Sequence, residues 1–84
     1  MRRRRRPALV TLLTRVGCPT CAAAEPLVAR LAAEAGVPHE IRDVDASPAD
    51  RAAYGDMVPV VLIDGAEHAY WWVDEEKLRK ALRG

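Results

Sequence analysis

A pair of cysteines, Cys18-Pro19-Thr20-Cys21, constrains this chain more than any other feature, because of where the pair falls. Ahead of it, Ala8 to Thr14 is a nearly unbroken run containing Leu9, Val10, Leu12 and Leu13. A continuous apolar run of that length suits a strand buried on both faces, as in a parallel sheet covered by helices. Val16-Gly17 is a turn, and behind it a helix starts around Cys18. Pro19 agrees with that start, since the first helical turn is where a missing N–H costs nothing. The two sulfurs therefore sit at a strand-to-helix junction, three residues and about one helical turn apart.

The helix continues to about Ala35, with Ala24, Leu27, Val28, Leu31 and Ala35 as its buried stripe. Arg30 and Glu34 lie four apart on the outer side, and Gly36 closes the helix before Pro38. Pro26 falls inside; it removes one backbone hydrogen bond and predicts a kink, because the apolar spacing carries on through it. His39 to Val44 reads as a second strand with imperfect alternation. Ser47 caps a short helix with Pro48 at its first position, and Gly55 ends that helix after Tyr54. Val58 to Ile63 is a third strand. Asp64-Gly65 is a two-residue hairpin turn into a fourth, Glu67 to Trp72. Asp74 caps a last helix, with Glu75 and Glu76 in its first turn and Lys80 and Arg83 toward its end. The order is β-α-β-α-β-β-α, an α/β fold whose first two strands are parallel neighbours by the right-handed crossover rule.

The chain has 84 residues, half of them hydrophobic, which supports one domain with a two-layer core. Phe is absent, so that core is built from Leu, Val, Ile and Ala. The formal net charge of +1 hides an asymmetry: removing the five charges of Arg2 to Arg6 leaves −4 on the remainder. Residues 1–7 are read as a disordered basic tail and 8–84 as the folded domain. A mildly acidic body argues against nucleic acid as a partner. No stretch approaches the ~20 apolar residues of a membrane span, and the apolar run is short and interrupted for a secretory signal. A cytoplasmic monomer is expected, and there two cysteines are more often catalytic or metal-binding than a structural staple.

At a helix start, unpaired N–H groups and the aligned peptide dipoles favour a thiolate at Cys18. Arg15, three residues earlier, adds a full positive charge nearby. Such settings lower a cysteine pKa below its free value of ~8.5, and thiolate is the species that attacks a disulfide. Cys21, one turn deeper, is placed to resolve the resulting mixed disulfide. A zinc knuckle is the competing reading, but it wants two further ligands, and His39 and His68 lack the paired spacing. Pro59 is the second informative residue. A cis Val58–Pro59 bond would turn the Val58 backbone outward beside the cysteines, where its N–H and C=O pair with an extended substrate. A trans proline that merely opens the strand is the plain alternative.

With Thr14-Arg15-Val16-Gly17-Cys18-Pro19-Thr20-Cys21 followed by Met57-Val58-Pro59-Val60-Val61, the chain resembles the glutaredoxin-like branch of the thioredoxin superfamily. It is similar, more narrowly, to small bacterial glutaredoxin-like proteins, which share Tyr54-Gly55 before Val-Pro and a closing helix like Asp74 to Leu78. The resemblance covers Ala8 to Leu82. It implies a four-stranded mixed sheet flanked by helices, a cis bond at Pro59, Cys18 as nucleophile and Cys21 as resolving thiol. It also implies a substrate-binding set of Arg15, Pro19, Thr20, Val58, Pro59, Val73 and Asp74. Arg15 stands where dithiol glutaredoxins usually carry Lys. Where glutaredoxins follow the fourth strand with a Gly-Gly pair that helps hold glutathione, this chain has Trp71-Trp72-Val73-Asp74. Alternation sends Tyr70 and Trp72 to one sheet face and Trp71 to the other, so at least one of the three belongs to the core, and an exposed one forms a rim.

The function expected is a thiol–disulfide oxidoreductase that reduces protein disulfides or glutathione mixed disulfides. It needs no bound cofactor or metal, takes glutathione as a co-substrate, and is recharged by a thiol reductant. The alternatives are a carrier of zinc or of an iron–sulfur cluster shared between two chains through Cys18, and a scaffold domain whose motif is vestigial.

Overall fold

The computed structural model describes residues 6–83, with the elements β1 (Val10–Thr14), α1 (Pro19–Ala35), β2 (His39–Asp43), α2 (Pro48–Tyr54), β3 (Val60–Ile63), β4 (Ala66–Tyr70) and α3 (Glu75–Leu82). The sheet order is β2-β1-β3-β4, with β1 parallel to β2 and both remaining pairs antiparallel. This is the mixed four-stranded sheet that the family resemblance implied.

The apolar run of β1 is buried on both faces because each face of this central strand is covered, one by α1 and α3 and the other by Val44 and the segment from Tyr54 to Val58. Val10 and Leu12 point into the larger core, with Val28 and Leu31 of α1, Val61 of β3, and Leu78 and Leu82 of α3. Leu13 points the other way, into a smaller cluster with Val44, Val60 and Leu62, covered by Tyr54, Met57 and Val58. Exposed β2 explains why its alternation was poor: as an edge strand it buries almost nothing, and Ile41 remains 40% exposed. Val44 does not extend that strand. It enters a 3-10 turn, Val44–Ala46, that starts on the Asp43 side chain and drives the valine into the smaller cluster.

Helix α1 runs unbroken through Pro26, one element and not two, as the continuing apolar spacing implied. It ends in a Schellman arrangement: Gly36 at φ +69°, with Gly36 N–H on the Ala33 carbonyl (3.1 Å) and Val37 N–H on that of Ala32 (2.9 Å). Arg6 donates to the Ala35 carbonyl at 3.1 Å, a cation at a helix C-terminus, where the dipole favours it. Residues 1–5 of the segment read as a tail lie outside the described residues. The Asp64-Gly65 hairpin has positive φ at both central residues, +52° and +82°, and the Asp64 side chain also accepts from the N–H groups of Ala8 and Leu9.

The expectation for the aromatic run also fails. None of Tyr70, Trp71 and Trp72 is in the core; they are 40%, 54% and 66% exposed. Alternation requires an extended strand, and β4 stops at Tyr70. Trp71 takes φ +74°, which turns the chain out of the sheet. Its N–H goes to the Met57 carbonyl (2.9 Å) and its indole N–H to that of Asp56 (3.4 Å). A left-handed conformation in an aromatic L-residue costs of order 1–3 kcal/mol, and those contacts hold it there.

Candidate active site

Three connections meet at the end of the sheet where β1 finishes. They are the β1–α1 turn carrying Cys18, the α2–β3 segment carrying Val58 and Pro59, and the segment from Trp71 to Asp74 between β4 and α3. The antiparallel register pairs Leu13 with Val60, and continuing it brings Pro59 and Val58 level with Thr14 and Arg15.

The turn is closed by Cys18 N–H on the Arg15 carbonyl (3.2 Å), with Gly17 at φ +80° in its third position. That is the type II pattern, and it needs glycine there. Cys18 is left extended at φ −99°, ψ 105°, as the N-cap of α1, with Pro19 as the first helical residue. Its sulfur accepts from the Cys21 N–H at 3.2 Å and lies 3.3 Å from the Thr20 hydroxyl. Cys18 thus takes the place that Ser or Asp fills at an ordinary N-cap, with its sulfur at the positive end of the helix.

Cys18 and Cys21 are joined as a disulfide, with Cα atoms 5.2 Å apart. Cys18 is partly exposed, whereas Cys21 is only 1% exposed. The pair is asymmetric in access, as the spacing implied.

Arg15 is not free to face the sulfurs with a full charge. Its Nε and Nη2 make a two-pronged contact with Asp45, both at 2.9 Å, and its Nη1 donates to the Gly55 carbonyl at 3.0 Å. The hydrogen bond from Arg15, ahead of its charge, holds the Asp45 carboxyl below the usual carboxylate range. Arg15 nonetheless lines the same cavity of about 250 Å³ as Cys18 and Cys21, together with Glu25 and Asp43. Its visible work is to tie the β1–α1 turn to the 3-10 turn and to the end of α2.

That tie explains Gly55. Its φ of −55° is open to any residue, but an added Cβ would stand 2.6 Å from the Arg51 carbonyl oxygen and 3.1 Å from Arg15 Nη2. We expect Gly55→Ala to lower stability by about 1–3 kcal/mol, the usual cost of overpacking, in urea unfolding. Unchanged stability would show that this end of α2 relaxes freely.

Of the other residues singled out, Pro19 and Thr20 are exposed on the first turn of α1, Val58 is half-buried, and Pro59 is buried and follows a cis peptide bond. Val73 forms one wall of a groove with Trp72, opposite Thr20, Ala23, Ala24 and Leu27 of α1. Asp74 is the cap of α3, its carboxylate accepting from Lys77 N–H at 3.1 Å. Among the described residues, no group of three or more His, Cys, Asp or Glu side chains is placed to hold a metal ion. No helix there is long and apolar enough to cross a membrane.

Residues 9–83 match the Glutaredoxin-like domain (DUF836). The chain belongs to that family. It is 47% identical over 75 residues to an uncharacterised protein of Mycobacterium tuberculosis, covering 83% of this chain and 77% of that protein. Among solved structures, a mutant thioredoxin from Halobacterium salinarum superposes with a TM-score of 0.64 at 28% identity, over 88% of this chain and 70% of the other. A protein of Nitrosomonas europaea gives 0.75 at 20% identity, over 98% and 99%, which speaks for the fold alone. This glutaredoxin-like domain thus has the thioredoxin fold with a dithiol pair at disulfide distance, the arrangement of a redox-type protein.

Sequence reasoning about the domain missed two acids in the cavity at the sulfurs, Glu25 and Asp43, and the partner of Arg15, Asp45. Glu25 was legible, being one turn beyond Cys21 on the same helix face. Asp43 and Asp45 were not separable from other surface acids, because only the folded chain brings Asp43 to the cavity at the cysteines and Asp45 to Arg15.

Proposed function

We propose that this glutaredoxin-like domain is a dithiol thiol–disulfide oxidoreductase acting on protein disulfides or glutathione mixed disulfides. The observation that carries the reading is the asymmetric pair: an accessible Cys18 sulfur capping α1, and a buried Cys21 one turn behind it. In the reduced protein the Cys18 thiolate attacks one sulfur of the substrate. The substrate S–S bond breaks, and one half leaves as a thiolate that takes a proton from solvent. Cys21 then loses its proton and attacks the Cys18 sulfur, breaking the mixed disulfide, and the second half leaves as a thiol. Two electrons have passed to the substrate and the Cys18–Cys21 disulfide is restored.

In this reading Val58 offers its backbone to the substrate chain, and Thr20 and Val73 line the approach. Arg15 is a positioning residue that fixes the turn carrying Cys18. The setting is a reducing compartment, where a thiol reductant returns the disulfide to the dithiol.

The test is a stoichiometric one. Reduced protein mixed with a disulfide-bonded protein is expected to consume one disulfide per chain, with the Cys18–Cys21 disulfide appearing in equal amount by mass spectrometry. Exchange no faster than with a model thiol at neutral pH overturns the reading.

A further inference from the structure

The groove beside the disulfide decides what kind of substrate half fits. It measures about 200 Å³ and runs between α1 and the segment leaving β4, with Ala23, Leu27, Trp72 and Val73 as its walls. At one end stands Thr20, whose hydroxyl lies 3.3 Å from the Cys18 sulfur. Among the described residues, no charged side chain lines it. Carboxylates stand at its margins: Glu25 and Asp43 in the cavity at the sulfurs, Asp74 next to Val73, and Asp56, whose carbonyl holds the Trp71 indole, with Lys77 one turn further along α3. Arg15, which lines the cavity at the sulfurs, is already paired with Asp45. The N-terminus of α3 is no free anion cradle either, since the Asp74 carboxylate takes the Lys77 N–H.

Glutathione carries two carboxylates against one ammonium, and it would lie in an apolar channel with acids at its margins and, among the described residues, no cation in its walls. An apolar side chain next to a cysteine gains from the same walls, because burying apolar surface there releases water from Leu27 and the 66% exposed Trp72. A neutral or basic flank fits the surrounding carboxylates.

We propose, resting on the redox reading above, that this groove seats an apolar side chain adjacent to the disulfide of a polypeptide substrate and selects against glutathione. The chemistry is unchanged: the peptide disulfide is reduced to two thiols as the Cys18–Cys21 dithiol closes to its disulfide.

The experiment uses the full chain, reduced beforehand, and follows thiol release after acid quench. Four disulfides serve as probes: a peptide dimer with Leu and Lys flanking the cysteine, one with Gly and Glu instead, oxidised glutathione, and hydroxyethyl disulfide. The Leu–Lys peptide is expected to react at least tenfold faster than oxidised glutathione or the Gly–Glu peptide. Trp72→Ala removes a groove wall at an exposed position and is expected to shrink that ratio to threefold or less. Ala23→Arg, at an exposed helical position, is expected to raise glutathione relative to the Leu–Lys peptide. If wild type reduces hydroxyethyl disulfide but shows no preference among the peptides and glutathione, or if the preference survives both substitutions, the groove assignment is overturned and the redox reading stands. If wild type fails even on hydroxyethyl disulfide, the redox reading itself falls, and the groove proposal with it.

Discussion

Cys18→Ser is expected to abolish disulfide exchange while leaving the fold intact, and Cys21→Ser to trap a covalent complex with the substrate through Cys18. The two outcomes differ because the two sulfurs differ in access and not only in order. Cys18 is partly exposed and caps α1, where the Cys21 N–H, the Thr20 hydroxyl and the helix dipole all favour negative charge on its sulfur. Serine cannot supply a thiolate, so exchange falls to the uncatalysed rate. It is, however, among the best N-caps, so the start of α1 survives the substitution. At Cys21 the contribution to the cap is the backbone N–H, which serine retains. The first attack therefore proceeds, and no thiol remains to release the product. Mass spectrometry after mixing with a disulfide-bonded protein reads both results, with circular dichroism as the check on folding. A stable adduct at Cys21 in the Cys18→Ser protein would reverse the assignment. The same geometry predicts that, in the Cys21→Ser protein, alkylation of Cys18 is half-maximal at a pH below the ~8.5 of a free thiol. A midpoint at or above that value would mean that the helix start contributes nothing.

Much of this site was legible from the sequence because its placement is local. Gly17, Cys18, Pro19 and Cys21 determine a turn, a cap and a helix start within five residues, and the structure has all three. Asp64-Gly65 is likewise a local turn, and the chain reverses there. Misreadings arose where non-local contacts outweigh pattern. Alternation put one of the tryptophans in the core, but the Met57 and Asp56 carbonyls draw Trp71 into a left-handed turn that no count of alternating residues contains. Arg15 was read as a charge near Cys18, and it does line the cavity at the sulfurs, but its partner was not legible. Asp45, thirty positions away, provides two short hydrogen bonds and takes the guanidinium. Val44 continued a strand by composition, yet it turns into the smaller core because Asp43 opens a 3-10 turn ahead of it. In each case a hydrogen-bond acceptor distant in sequence, or a nearby cap, decides the conformation, and neither has a periodicity to detect.

The largest loss of stability is expected from Leu12→Ala. Leu12 is fully buried at the centre of β1, with α1 and α3 closing over it and β2 and β3 on either side. Truncations of this kind cost about 2–5 kcal/mol from lost burial and the remaining cavity. A domain of this length has roughly 4–13 kcal/mol in total, so the change removes a large share of it. The expected fall in Tm is on the order of 8–40 °C, because about 4–8 °C is lost per kcal/mol in domains of this size. Ile41 supplies the internal control: it pairs with Leu12 across β1 and β2, but it sits on the edge strand at 40% exposure. Ile41→Ala should stay within about 1 kcal/mol of the parent, a surface change with a little lost strand preference. Because β1 also leads directly into the Cys18 turn, loosening it has a second expected consequence. In the Leu12→Ala protein the site should lose its order at temperatures where the parent still protects Cys21 from alkylation. Equal Tm shifts for the two substitutions would show that β1 is not the keystone of the larger core, and that the Cys18 turn is held in place by Arg15 and the loops instead.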